Sequence, residues 1–360
     1  MDHWFEIVNQ EDVPSPSLLV YPQRIQSNID SMLRLAPAAR LRPHVKTHKM
    51  QEVVALCRNS GIEKFKTATI AESEMCARAG AGDILLAFQP VGPNINRLKI
   101  LVEAFPQTRF STILDNDFSS HELSCFFAHS PIDVWVDVDC GMHRTGIAPK
   151  FVPDFFARLE TLPGLRVRGL HAYDGHIHAQ DLAVREKEHR EAMTPVLEIR
   201  SQLRSKDRPI EIVAGGTPTF PFNALLPETE CAPGTPLLWD AGYSQQYPDL
   251  PFQLAATLLC RVISNPTPNH YCLDLGHKAV ASESPQPRLW LPQIPDAELV
   301  GHSEEHLVIR TALNLKIGTA LYAFPKHICP TCALYDEAVV VFKNLASTRW
   351  KIHRGRALKE

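Results

Sequence analysis

No stretch of the chain approaches the run of about 20 apolar residues that a bilayer-spanning helix needs, which argues against a membrane protein. The opening Met-Asp-His-Trp-Phe-Glu-Ile lacks a basic segment and a long apolar run, so no signal peptide is expected. Charge of one sign is lacking too. A formal net charge of −3 gives no sign of a nucleic-acid or anionic-membrane partner. The nine cysteines are scattered through 360 residues and do not form a disulfide framework, which points to a reducing, cytoplasmic setting. There is no internal repeat and no low-complexity segment. No Gly-x-Gly-x-x-Gly follows the first strand, which disfavours an open dinucleotide-binding sheet. With 44% hydrophobic and 21% charged residues, the chain suits one large globular domain plus a smaller one.

From about residue 22 to 244 the hydrophobic pattern alternates between strand and helix. Strands are expected at 64–69, 83–88, 109–114, 132–139, 165–173 and 209–214, with helices between them. Seven or eight such units predict a closed (β/α)8 barrel of the TIM type. From about Gln245 helical periodicity disappears, and short β-rich runs separated by Pro, Asn, Asp and Gly turns take over. Residues 245–360 therefore read as a mainly antiparallel β domain, which residues 1–21 are expected to join.

The stretch Leu41–Lys49 concentrates ionisable groups at the end of one expected strand. Pro43 keeps Arg42 out of the helical region, His44 and Val45 suit a strand, and a helix is expected from Thr47. Lys46 then sits at a strand's C-terminal end, where parallel α/β proteins place their chemistry. Beside His44, His48 and Lys49, its ammonium form is disfavoured, and a neutral amine can form a Schiff base. Alone, the same stretch also reads as a surface lysine past a strand end.

Other strand ends carry further chemistry. In Val136–Gly146, Gly141 and Gly146 permit a tight turn and Arg144 offers a rigid fork to an anionic or phenolic oxygen, or pairs with Asp137 or Asp139. Gly215-Gly216-Thr217, before a helix, has the bare backbone of a phosphate cradle. Tyr173 ends a strand and is followed by His176 and His178, which share a face if the loop is extended. In the β domain, His327 and Cys329 of an extended His-x-Cys segment would face one side, and imidazole with thiolate suits zinc. Two ligands leave open positions for water or substrate. Cys329 and Cys332 as a redox pair, or as two buried structural cysteines, remain alternatives.

Together these segments resemble the fold-type III pyridoxal-phosphate enzymes, the alanine-racemase-like barrel plus β domain, and within them the D-threonine aldolase and D-serine dehydratase family. The resemblance rests on Pro-His-Val-Lys-Thr-His-Lys at 43–49, Ala-Thr-Ile-Ala-Glu-Ser-Glu at 68–74 and Asp-Ile-Leu-Leu-Ala at 83–87. It continues with Val-Asp-Val-Asp-Cys-Gly-Met-His-Arg at 136–144, Ser-Glu-Glu-His at 303–306 and Pro-Lys-His-Ile-Cys-Pro-Thr at 325–331. It implies pyridoxal 5'-phosphate held covalently by Lys46, with Arg144 on its phenolic oxygen and Tyr173 near its ring. It also implies phosphate contacts from Gly215, Gly216, Thr217, Gly234 and Thr235, and a divalent metal, zinc or manganese, on His327 and Cys329. Three positions depart from the family pattern. Pro236 follows Pro233-Gly234-Thr235 where the family has a tyrosine. Cys329 stands where aldolases tend to have aspartate, and Ala179 lies near their histidine base, with His176 and His178 as substitutes.

The implied activity is cleavage of a D-3-hydroxy-amino acid to glycine and an aldehyde, as in D-threonine aldolases. The alternative is a dehydratase of the D-serine or 3-hydroxy-D-aspartate type, giving a 2-oxo acid and ammonia. An amino-acid racemase with Tyr322 or Tyr243 as second base is a further reading, and a cofactor carrier built from the barrel alone is a non-enzymatic one. A homodimer with a small-molecule D-amino acid substrate completes the expectation.

Overall fold

The computed structural model describes residues 3–204 and 209–355, and its contacts divide the chain into two compact units. One comprises Met32–Lys46 and Val54–Gly234; the other comprises the chain through Ser31, Thr47–Val53 and Thr235–Arg354.

The first unit is a ring of parallel strands. Lys64–Thr67, Asp83–Leu86, Arg109–Leu114, Ile132–Val138, Leu165–Ala172, Glu211–Ala214 and Thr229–Cys231 pair in sequence order. Residues 41–45 close the ring, as Leu41 bridges Cys231 and His44 bridges Lys66, both in parallel register. Arg42 N–H donates to Cys231 O (2.8 Å) and Val45 N–H to Lys66 O (2.9 Å). Pro43 brings no N–H to this ladder, which is why the eighth stave is two bridges rather than a strand. The (β/α)8 barrel is therefore present, with one irregular stave.

Alternation along the strands sorts side chains into two layers. Val134, Val136 and Val138 join Leu86, Leu114, Leu170 and Ile212 against Leu98, Leu123, Phe155, Phe156 and Val196 of the outer helices. Leu85, Ile113, Trp135, Val213 and Ala232 form a separate cluster inside the ring. Ile132–Val138 is buried along its whole length, as expected of a parallel strand covered on both faces.

Charges plug the end where the strands begin. Arg42, fully buried, donates to Asp83 (2.7 Å) and Glu230 (2.6 Å), and Glu230 also pairs with Lys64. Arg168 reaches Asp83 (3.3 Å) and Glu211 (2.8 Å), while Arg109 and Arg166 share Asp133. Breaking a buried pair leaves its partner charged and desolvated. Arg42→Met is therefore expected to lower stability by about 3–5 kcal/mol, read as a fall in the urea midpoint.

The second unit is a mainly antiparallel sheet. Its strands run Glu298–His302, Leu307–Arg310, His270–Leu273, Ala256–Thr267, Ser17–Val20, Glu337–Phe342 and Leu345–Lys351 across the sheet. Ala320–Pro325 pairs with Ala256–Thr267 and with Leu289–Trp290. Among the described residues its one parallel strand pairing is Ser17–Val20 with Glu337–Phe342. Phe5, Ile7, Leu19, Tyr21, Leu259, Tyr322, Phe324 and Val339 form its core. The Tyr322 hydroxyl accepts from Ile7 N–H (3.0 Å) inside that core, a structural post rather than the setting of a base.

Helix formation after the closing stave begins later than the periodicity predicts. Val45–His48 form a turn, Lys49 follows at φ +56°, and the helix runs Gln51–Asn59. His48, fully buried, accepts from Met50 N–H through Nδ1 (3.0 Å), so its ring closes this turn instead of lying on a helix. Burial and the charge of Lys49 push His48 down to about 3.

Candidate active site

In the barrel unit the strands' C-terminal ends converge on one cavity lined by Lys46, Lys66, Asp137, Arg144, His171 and Tyr173, among others. The Tyr173 ring is its centre. The Arg144 guanidinium carbon lies 4.9 Å from the ring centroid, Lys46 Nζ 5.4 Å and Lys66 Nζ 5.6 Å. Gly175 makes room for that ring, since a Cβ there would stand 2.2–2.4 Å from Tyr173 Cε1, Cζ and hydroxyl.

Arg144 is aimed by a loop knotted around Asp139. The Asp139 carboxylate accepts from Gly141 N–H (3.0 Å) and His143 N–H (2.9 Å) and pairs with His143 Nδ1 (2.7 Å). Gly146, at φ +101°, lies so close to the strand that a Cβ would be 2.6 Å from Asp139 N. Asp137 accepts from His171 Nδ1 (2.6 Å) and Thr145 Oγ1 (2.8 Å). Both aspartates that might have held Arg144 as a turn residue thus have other partners. Burial alone would raise Asp137, but His171, Thr145 and Lys66 hold it below the usual carboxylate range.

Gly215 spends its N–H on Ala172 O (3.1 Å) and packs at φ +155° against Ala232, 3.0 Å from where a Cβ would begin. Gly216 and Thr217 follow before the short helix Phe220–Leu225. A Cβ on Gly216 would meet Asp174 Oδ1 at 3.0 Å, and that buried oxygen has no hydrogen-bond partner among the described residues. Pro233, preceding Gly234, accepts from His44 N–H (3.0 Å), which ties this turn to the Lys46 stave. Thr235 falls in the β unit, its hydroxyl 3.6 Å from Cys329 Sγ.

His176 and His178 do not line the Lys46 cavity. With Cys140, Ile177, Glu188 and Glu191 they line a second one. The loop is not extended there: Ile177 N–H donates to Asp174 O (3.1 Å), and this turn buries Ile177 between the two histidines.

In the β unit His327 and Cys329 are adjacent, though not by strand alternation. His327 is extended, whereas Cys329 lies in the short helix Ile328–Cys332, whose Ile328 N–H donates to buried Asp240 (3.1 Å). Pro330 falls in the first turn, where its missing N–H costs no helical bond. His327 Nδ1 pairs with Glu283 (2.7 Å), and Cys329 Sγ contacts Thr47 Oγ1 (3.2 Å). Burial opposes charge on both, yet each favours the other's ion: His327 rises to about 9 and Cys329 falls. The pair offers one imidazole and one thiolate, with Glu283 holding the imidazole Nδ1 as carboxylates do at zinc sites. No group of three or more His, Cys, Asp or Glu side chains in ligating arrangement occurs among the described residues. Cys332 is fully buried, its thiol pushed up by burial, and all nine cysteines are free.

Sequence reasoning missed Lys66, Asp137 and His171 as cavity residues. The available signal was a lysine inside the strand Lys64–Thr67 of a sheet expected to close.

The barrel also fits an aldehyde cofactor, with a primary amine, a guanidinium and an aromatic face in one cavity. His171, whose buried Nε2 has no hydrogen-bond partner among the described residues, is part of the same lining. Comparison with known families decides the lineage. The family described as alanine racemase, N-terminal domain, matches residues 20–237. The chain belongs to that family. A putative serine dehydratase domain matches residues 255–341, so the resemblance to fold-type III pyridoxal-phosphate enzymes holds over both parts. The chain is 28% identical to a D-threonine aldolase of Arthrobacter sp. over 353 residues, 94% of this chain and 92% of that one. It is 25% identical to a D-threo-3-hydroxyaspartate dehydratase of Delftia sp., covering 89% of this chain and 92% of the relative. A crystal structure of D-threonine aldolase from Filomicrobium marinum superposes with a TM-score of 0.87 at 24% identity, over 95% of this chain and 96% of that one.

Proposed function

We propose that this family member is a pyridoxal-phosphate- and metal-dependent lyase acting on D-3-hydroxy-amino acids, of the D-threonine aldolase type. The observation that carries it is the cavity in which Lys46, Arg144 and Tyr173 meet at the loop end of the barrel. Lys46 would hold the cofactor, Arg144 would bond its phenolic oxygen and Tyr173 would face its ring. Gly215, Gly216, Thr217, Gly234 and Thr235 would receive the phosphate. When bound, the cofactor supplies an electron sink for the bond broken at Cα.

His327 and Cys329 would hold zinc or manganese, a Lewis acid that lowers the pKa of a hydroxyl bound to it. His176 and His178 line a different cavity from Lys46 and are not assigned the hydroxyl proton. His176→Ala and His178→Ala are each expected to keep bound cofactor. Gly175→Ala forces the Tyr173 ring aside while leaving the strands untouched. A displacement near 1 Å is expected to cost about 10² in kcat/KM, with an unchanged melting curve.

One observation favours a dehydratase: Cys329, not aspartate, stands beside His327, as the resemblance implies for that branch, and a dehydratase is among the full-length relatives. A product assay separates the two. Glycine and acetaldehyde from D-threonine support the aldolase, an oxo acid and ammonia from D-threonine or D-serine support the dehydratase, and neither set overturns both.

Other features agree with an enzyme of small molecules. No helix among the described residues is long and apolar enough to cross a membrane. Nine free thiols suit a reducing cytoplasm, and the family resemblance supports a homodimer, measurable by sedimentation.

A further inference from the structure

The barrel cavity holds two lysines, and the function proposed above uses only Lys46. Lys66 is 3% exposed, and its backbone is locked to the closing stave, donating to Pro43 O (3.0 Å) and accepting from Val45 N–H (2.9 Å). Its amine and that of Lys46 lie at nearly equal distances from the Tyr173 ring, 5.6 and 5.4 Å from the centroid. Arg144 adds a third cation against the same ring. Asp137 on Ile132–Val138 and Asp174 after Leu165–Ala172 oppose that charge, and His44, Asp139 and His171 complete the titratable lining.

A buried amine is costly when charged, and two amines in one cavity titrate as a pair. Burial first, then Lys46, brings Lys66 down to about 7, with Arg144 lowering it further and Asp137 and Asp174 opposing. Both carboxylates favour the charged form of Lys66. Asp137 is already kept ionised by His171 and Thr145.

We propose that Lys66 is a positioning residue for the reactive lysine: it carries the cavity's ammonium charge so that Lys46 is presented as a neutral amine. This rests on Lys46 being the cofactor's anchor. The neutral Lys46 nitrogen adds to the cofactor's aldehyde carbon, and its two hydrogens leave with the aldehyde oxygen as water. The Lys66 amine takes no part in the bond exchange. Once Lys46 is tied up as a carbon–nitrogen double bond, the nearby Lys66 cation disfavours protonation of that nitrogen and so sets the pH at which the bound chromophore changes colour.

The test uses the full chain loaded with pyridoxal phosphate, as wild type, Lys66→Met, Lys66→Gln and Lys66→Arg. The readouts are the pH titration of the bound chromophore and borohydride reduction followed by peptide mass spectrometry. Rates of cofactor uptake by the stripped proteins at pH 7 are measured alongside. Both neutral variants are expected to move the colour transition up by about one pH unit or more and to slow uptake about tenfold. Lys66→Arg, which keeps the cation, is expected to stay at or below the wild-type transition. Two neutral variants of different shape, with melting curves, separate a charge effect from a packing defect. If the reduced cofactor is on Lys46 and neither neutral variant moves the transition, the role of Lys66 is overturned and the anchor stands. If wild-type label is on any residue other than Lys46, the anchor fails and this inference fails with it.

Discussion

Lys46→Ala is expected to give a folded protein that takes up no colour and loses catalysis by a factor on the order of 10⁴ or more, as removal of a covalent group does elsewhere. Lys46 follows the closing stave, and no ladder bond depends on its side chain, so the melting curve should stay within about 0.5 kcal/mol of wild type. Mass spectrometry after borohydride treatment should find the cofactor on a Lys46 peptide in wild type and nowhere in the variant. Equal labelling of both proteins would place the linkage elsewhere and remove the basis of the functional proposal.

The second large effect concerns the pair in the β unit. Chelation of the wild type is expected to lower kcat by about 10² or more, reversed by zinc or manganese, because the proposed Lewis acid for the substrate hydroxyl would be gone. His327→Ala and Cys329→Ala are each expected to show the chelated rate from the start and to be indifferent to chelator. Glu283→Gln, which keeps the shape but weakens the hold on His327 Nδ1, should lower metal affinity about 10–100-fold, measured by competition with a metal indicator. Full activity in the chelated wild type would leave the pair without a chemical role and revive a metal-independent racemase.

The barrel was legible because helical and strand periodicities alternate cleanly from Lys64 to Ala214, and the strand end that carries Lys46 because Pro43 and the residues after it mark it. The closing stave was legible only in outline: Pro43 withholds a ladder donor, so the ring closes by bridges that no strand pattern announces. Lys66 was hidden for another reason. Lys64-Phe65-Lys66 reads as a solvated lysine face with one core residue, and only closure of the sheet turns that face inward. His176 and His178 misled by their alternation, since the Asp174–Ile177 turn aims the loop into a different cavity. His327 and Cys329 meet for a reason the alternation did not contain, because Asp240 starts a short helix between them.

Arg42 and Lys46 occupy opposite ends of one short run of chain, no more than about 14 Å apart when extended. The ion pairs at the far end act as a tether that, together with the backbone bonds of residues 42–45 to both neighbours, fixes how far this run can slide. Loosening that tether would be felt as imprecision in the placement of an amine four residues downstream, so a substitution remote from any ligand could erode turnover before it unfolds the protein.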